Sequence, residues 1–248
     1  MINGVVNPTG DEAVTLTYYA HGQADKLSNV ARRPAVLVLP GGGYEHCSDR
    51  ESEPVALSFL GAGYQAFVLR YSLGERSAWP RPLADAEAAM QTIIDHADQW
   101  GVDPDRIVVA GFSAGGHLAA SLGVFGRIRP ARLILIYPVT TEDTLKVCVA
   151  ASHNAPDLLA AVDAGTPATF LAHTADDETV PVTDSLAFAE RLHAANVPFE
   201  LHVFPSGPHG LALGTAFTST GRPEMENPGF AQWLGLAVNW LRREFPIG

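Results

Sequence analysis

Ile107-Val108-Val109-Ala110-Gly111-Phe112-Ser113-Ala114-Gly115-Gly116-His117-Leu118-Ala119 decides how the rest of this chain is read. A short, continuously apolar run ends in a glycine-flanked serine, and a stretch with helical spacing follows to Phe125. The pattern Gly-x-Ser-x-Gly in that setting describes a sharp turn from a strand into a helix, with the serine at its apex. Glycine two residues before and two after the serine removes Cβ atoms that would collide in so tight a turn. The helix that follows aims its first N–H groups at the serine, where an oxyanion could form.

Working outward, similar apolar runs recur at Val36–Leu39, Ala66–Phe67–Val68–Leu69, Leu133–Ile136, Ala168–Leu171 and Phe199–Val203. Most do not alternate, which is how strands covered on both faces of a parallel sheet read; 199–203 alternates more, which suggests an edge. Between them lie helix-length stretches at Pro54–Leu60, 82–100, Val182–Ala195 and Phe230–Phe245. In 82–100, Leu83, Ala86, Met90, Ile93, Ile94 and Ala97 form one stripe, with Asp85, Glu87, Asp95 and Asp98 expected off it. Asp103-Pro104 reads as a turn leading into the third run, and Gly61-Ala62-Gly63 as a helix stop. The alternation predicts a mostly parallel central sheet flanked by helices on both faces, in one domain spanning 1–248. Two segments interrupt it: an insert at 138–167, with a helix candidate around Asp157–Val162, and a Gly/Pro/Thr/Ser-rich loop at 205–228. Both start at the C-terminal ends of predicted strands, where open α/β sheets bind ligands.

A serine hydroxyl needs a base to take its proton, and that base needs a carboxylate to orient it. On this kind of sheet the chain order is serine, acid, histidine. His21, His46 and His96 precede Ser113; His117 lies within the turn helix, facing away from or beneath the hydroxyl. His153 falls in the insert, His173 and His202 in strand patterns, and His193 on a helix. His209 remains, in a loop after the last predicted strand. The acid is expected after the preceding strand, in Asp176-Asp177-Glu178; spacing leaves Asp176 and Asp177 both open, and Glu178 reads as a solvated charge. Pro40-Gly41-Gly42-Gly43-Tyr44 closes the first run, and its glycines let backbone N–H groups approach a substrate carbonyl. Tyr44, Trp79 and Phe217 are candidate aromatic walls of a pocket.

Composition narrows the partners. Apolar residues make up 47% of the 248 and charged ones 17%, a balance that suits a packed globular chain. The net charge of −11 argues against nucleic acid and anionic membrane. No run approaches the roughly 18 apolar residues of a membrane helix, and the first residues lack signal-peptide character, so a cytoplasmic location is expected. Cys47 and Cys148 read as ordinary thiols. There is no HExxH, phosphate-binding loop or dinucleotide fingerprint, and no cofactor is expected.

With these pieces in order, the chain resembles the acetyl esterase and lipase-like branch of the α/β-hydrolases, particularly bacterial acetyl-xylan, feruloyl and sugar-ester esterases. The resemblance runs from about residue 33 to the end and rests on Pro40–Tyr44, Ser48-Asp49-Arg50-Glu51, Leu69-Arg70-Tyr71, Gly111–Ala119, His173–Asp177 and Gly207–Gly210. It implies the α/β-hydrolase fold and a triad acid four residues before the proline of a D-x-x-V-P pattern, which selects Asp177 with Pro181. It also assigns oxyanion donors to Gly42, Gly43 and Ala114. Many lipase relatives carry histidine before the glycines, where this chain has Pro40. The expected activity is hydrolysis of a small-molecule carboxylic ester, acetyl esters first, since the 138–167 insert is short for a large lid. An amide or formamide hydrolase with the same triad is the enzyme alternative, and a non-catalytic binding protein the other.

Overall fold

The computed structural model describes residues 1–22, 30–150 and 153–245. In chain order the strands and helices are β1 (Ile2–Val6), β2 (Thr15–Ala20), β3 (Arg33–Leu39), α1 (Glu53–Gly61), β4 (Gln65–Arg70), α2 (Arg81–Asp95), α3 (Ala97–Trp100), β5 (Val102–Phe112) and α4 (Ser113–Phe125), and then β6 (Arg132–Ile136), α5 (Glu142–Cys148), β7 (Thr169–Thr174), α6 (Thr183–Ala194), β8 (Phe199–Phe204) and α7 (Trp233–Glu244). The strands form one sheet in the order β1-β2-β4-β3-β5-β6-β7-β8. β1 and β2 run antiparallel to their neighbours, and every pairing from β4 to β8 is parallel.

The apolar runs become strands because successive side chains serve opposite layers. Leu37, Leu39 and Val109 pack with Leu118, Leu122, Met90 and Phe188 beneath α2, α4 and α6. Val36, Val38, Val108 and Ala110 pack with Phe59, Trp233 and Leu241 beneath α1 and α7. Each fully buried Leu or Phe of this kind contributes about 1.5–3 kcal/mol of transfer free energy. β8 lies at the sheet edge, where its alternation places it.

Several expectations are corrected. No continuous apolar run marks the antiparallel strands β1 and β2, which extend the sheet beyond β4. The 82–100 helix breaks at His96 into α2 and α3. Asp85 and Glu87 are buried rather than outward. Asp85 accepts the Ser72 N–H at 2.8 Å, and Glu87 accepts the Arg127 N–H at 2.6 Å and its guanidinium. Asp103-Pro104 lies inside β5, at a register shift against β3, instead of in a turn before it. In the insert, the helix is α5, while 157–162 holds only a 3-10 turn at Leu159–Ala161. Residues 151–152 of that insert lie outside the described residues. Asp184, buried on α6, pins α5 in place by accepting the N–H groups of Thr140 (2.7 Å) and Thr141 (3.0 Å).

β5 sits between β3 and β6, with Leu39 beside Gly111 and Ile136 beside Phe112. Ser113 therefore emerges at the C-terminal edge of the sheet's middle, flanked by the loops leaving β3 and β6. A Cβ on Gly115 would lie 2.1 Å from the Leu39 carbonyl oxygen and 2.4 Å from that of Pro40. Gly115→Ala is accordingly expected to force backbone apart and to lower stability by about 1–3 kcal/mol. A urea titration checks this, and an unchanged midpoint would show that the turn is not packed as described.

Candidate active site

The junction of β5 and α4 fixes Ser113 in a left-handed conformation, φ 51°. Such a backbone is costly for a residue with a side chain, about 1–3 kcal/mol, and persists only where the surroundings enforce it. Here they do. A Cβ on Gly111 would meet the Gly115 carbonyl oxygen at 2.2 Å, and one on Gly116 would meet Pro138 at 2.8 Å. Because Ser113 and Ala114 open α4, their N–H groups have no acceptor within the helix and carry the positive end of its dipole.

Loops from β7 and β8 meet the serine. The Oγ of Ser113 lies 2.8 Å from Nε2 of His209, and Nδ1 of His209 lies 2.7 Å from Oδ2 of Asp177. Oδ1 of Asp177 accepts the N–H groups of Thr179 and Val180, both at 2.9 Å. Burial opposes ionisation of Asp177, yet His173, His209 and the Val180 N–H together hold its carboxyl well below the usual carboxylate range. An ionised Asp177 can only accept, so Nδ1 of His209 carries the proton and Nε2 faces the serine hydroxyl as an acceptor. Of the two aspartates left open by spacing, Asp177 reaches the imidazole. Asp176 is exposed and accepts the Gly207 N–H at 2.7 Å, holding the start of the His209 loop. Glu178 is exposed at the rim.

These groups open into a cleft of about 470 Å³ that also touches Gly42, Gly43, Arg50, Cys148 and Thr179. Gly42 (φ 125°) and Gly43 (φ 62°) need their glycine freedom, since a Cβ on Gly42 would sit 2.2 Å from the His46 carbonyl oxygen. Ala114 is fully buried beside Ser113. Tyr44 and Trp79 do not line the cleft. Tyr44 (φ 60°) turns down beneath the glycine loop, fully buried, with its hydroxyl 2.9 Å from Nδ1 of His117 and its ring stacked on His153 at 3.9 Å. Trp79 packs against Phe125, ring centroids 5.4 Å apart. Phe217 is 92% exposed on its loop.

One further group organises the site, and no local pattern marks its role. Glu51 is buried; its Oε2 accepts the Gly41 N–H at 2.8 Å and its Oε1 the Tyr137 hydroxyl at 2.8 Å. That hydroxyl in turn accepts the Ala212 N–H at 2.8 Å. A single carboxylate thus ties the glycine loop to the loop that carries His209. The clue was the Ser48–Glu51 motif, which gave no hint of partners 86 residues away. Cys148 donates its thiol to the Thr179 carbonyl at 3.1 Å, and burial pushes the thiols of Cys47 and Cys148 up, Cys47 to about 11. Among the described residues, no group of three or more His, Cys, Asp or Glu could hold a metal ion, and no helix is long and apolar enough to cross a membrane.

The chain matches the family described as Phospholipase/Carboxylesterase over residues 81–213, and the one described as BD-FAE over 24–134. An α/β hydrolase enzyme from a Medee basin deep-sea metagenome library is 42% identical, with a TM-score of 0.91 over 98% of this chain and 97% of that one. An endo-1,4-beta-xylanase B of Butyrivibrio fibrisolvens is 34% identical over 73% of this chain and 33% of its own length. An acetylxylan esterase of Xylanibacter ruminicola is 28% identical over 82% of this chain and 47% of its own. The chain spans about a third to a half of the length of these curated relatives. It belongs to the α/β-hydrolases, in the phospholipase/carboxylesterase family.

The buried imidazole under the glycine loop gives a pH expectation. Burial, reinforced by the nearby His153, pulls the pKa of His117 down to about 3, so it stays neutral when folded. In the unfolded chain it titrates at about 6.5. Between those values the unfolded state binds more protons, so stability falls as pH drops, by at most about 1.4 kcal/mol per unit from this group. Urea midpoints measured from pH 7 to pH 4 are expected to fall less steeply in His117→Gln. An identical slope would contradict the assignment.

Proposed function

We propose that the chain is a serine carboxylic ester hydrolase that works through an acyl-enzyme. The observation that carries this reading is the unbroken line Asp177–His209–Ser113, with contacts of 2.7 and 2.8 Å, ending on a serine at a helix N-terminus inside a cleft. Nε2 of His209 takes the proton of Ser113 as Oγ bonds to the ester carbonyl carbon. The carbonyl π electrons move to oxygen, and that oxyanion is held by the N–H of Ala114 and N–H groups of the Gly42–Gly43 loop. As the tetrahedral centre collapses, the imidazolium gives its proton to the departing alkoxide. Water then repeats the sequence against the acyl-serine and releases the acid. Asp177 keeps its negative charge throughout and stabilises the imidazolium. All of this lies within one hydrolase domain and needs no cofactor.

A short acyl group is the favoured substrate part, acetyl first and on sugar alcohols in particular. Two observations support this: α5 borders the cleft without forming a large cover, and one relative is named an acetylxylan esterase. The partner is a small-molecule ester.

The test pairs labelling with kinetics. A fluorophosphonate probe is expected to label Ser113 and to leave Ser113→Ala unlabelled. Turnover of p-nitrophenyl acetate should exceed that of the octanoate, and Asp177→Asn should lower kcat by about 10⁴-fold by stranding His209 in the wrong tautomer. Failure of the probe to label the folded wild type would end the serine mechanism. Faster turnover of a formyl amide than of any ester would replace the ester reading with the amide one.

A further inference from the structure

The cleft beside Ser113 is bordered by a permanent cation that no carboxylate among the described residues pairs with. Arg50 lies in the 3-10 turn Asp49–Glu51 and borders the cleft together with Ser113 and His209. A Cβ on Gly210 would lie 3.1 Å from its Nη2, so the guanidinium packs against the residue that follows His209. Its Nη1 is shut off from solvent and has no hydrogen-bond partner among the described residues. Among the described residues no Asp or Glu oxygen lies within 4.0 Å of it. Carboxylates are not scarce in a chain with 27 of them against 16 Lys and Arg. The two adjacent ones are engaged elsewhere. Asp49 pairs with Arg70 at 2.8 Å, and Glu51 accepts from Gly41 and Tyr137.

A guanidinium cannot release its proton, and partial removal from water is costly until an anion arrives. Nη1 being closed to the cleft, the remaining N–H donors of the guanidinium are left for a ligand, and they favour a carboxylate over a neutral acceptor. Position selects which end of the substrate carries that anion. His209 must deliver its proton to the leaving alcohol, so the alcohol portion lies on the His209 side, away from the glycine loop. Arg50 belongs to a turn tied to the glycine loop, but its guanidinium reaches across the cleft to Gly210, next to His209, and so meets the alcohol side. The exposed Glu178 at the rim and the net charge of −11 act across solvent, where repulsion is screened over about 8 Å at physiological salt. A direct pair inside the cleft is screened far less.

Building on the ester-hydrolase reading, we infer that Arg50 is a specificity-determining residue that pairs with a carboxylate on the alcohol portion of the ester. Acylated hydroxy acids, sugar acids included, are then a preferred substrate class.

The experiment compares O-acetyl-lactate with the neutral O-acetyl-lactamide by acetate release, in wild type, Arg50→Gln and Arg50→Lys. Wild type should favour the lactate in kcat/KM by about tenfold or more, the size of one charge-assisted contact. In Arg50→Gln that ratio should fall to about one, and Arg50→Lys should retain part of it. Calorimetric binding to Ser113→Ala, with and without Arg50→Gln, reads the same preference without turnover. If no ester is hydrolysed but Ser113→Ala still binds lactate over lactamide through Arg50, the hydrolase reading fails and the anion site stands. Equal handling of both probes by wild type, or an equal loss on both in Arg50→Gln, overturns the inference and leaves Arg50 as a packing group for the His209 loop.

Discussion

The left-handed turn at Ser113 is the constraint on which the rest of the structure depends. A serine at φ 51° between a buried strand and a buried helix is stable only if nothing occupies the space that Cβ atoms at 111 and 115 would need. That requirement brings the carbonyls of Leu39 and Pro40 under the turn, which in turn requires β3 to lie beside β5 in parallel register. Once β3 is there, the glycine loop that follows it emerges next to the serine. Parallel β6, β7 and β8 deliver their own C-terminal loops to the same edge. The strained residue and the convergent loops are one arrangement seen from two sides.

Loops have little apolar surface with which to hold themselves, and this molecule fastens them with carboxylates on backbone N–H groups. Glu51 holds Gly41, Asp176 holds Gly207, Asp177 holds Thr179 and Val180, and Asp184 holds Thr140 and Thr141. An ionised carboxylate accepting from N–H makes a stronger bond than a neutral pair. Part of the acidic excess is therefore internal architecture around the cleft and carries no message about a partner. Arg50, by contrast, borders the cleft with no carboxylate within 4.0 Å among the described residues.

The apolar runs, the Gly-x-Ser-x-Gly turn and the serine–acid–histidine order were legible because each leaves a local mark: unbroken Val/Ile/Leu stretches, glycines around one serine, a lone loop histidine. Asp176 and Asp177 could not be separated by spacing, because adjacent residues differ only in where their side chains point. The two antiparallel strands leave no such mark: Ile2–Val6 is mostly exposed, and Thr15–Ala20 mixes polar and aromatic residues, so neither shows the buried-strand signature. Tyr44 read as a pocket wall because it follows the glycines, but its positive φ sends the ring underneath, to His117 and His153. Glu51 and Asp184 were invisible for a different reason. Their partners are distant in sequence, and a charged residue in a polar stretch looks solvated until the fold buries it.

The proposed nucleophilic role of Ser113 is tested most directly by trapping the covalent intermediate it requires. Wild-type protein mixed with excess p-nitrophenyl acetate, quenched in acid within the first turnovers and digested for mass spectrometry, should carry acetyl on the peptide containing Ser113, and on its hydroxyl. Turnover with no acetyl-enzyme at all, or with acetyl on Cys148 instead, would contradict the account.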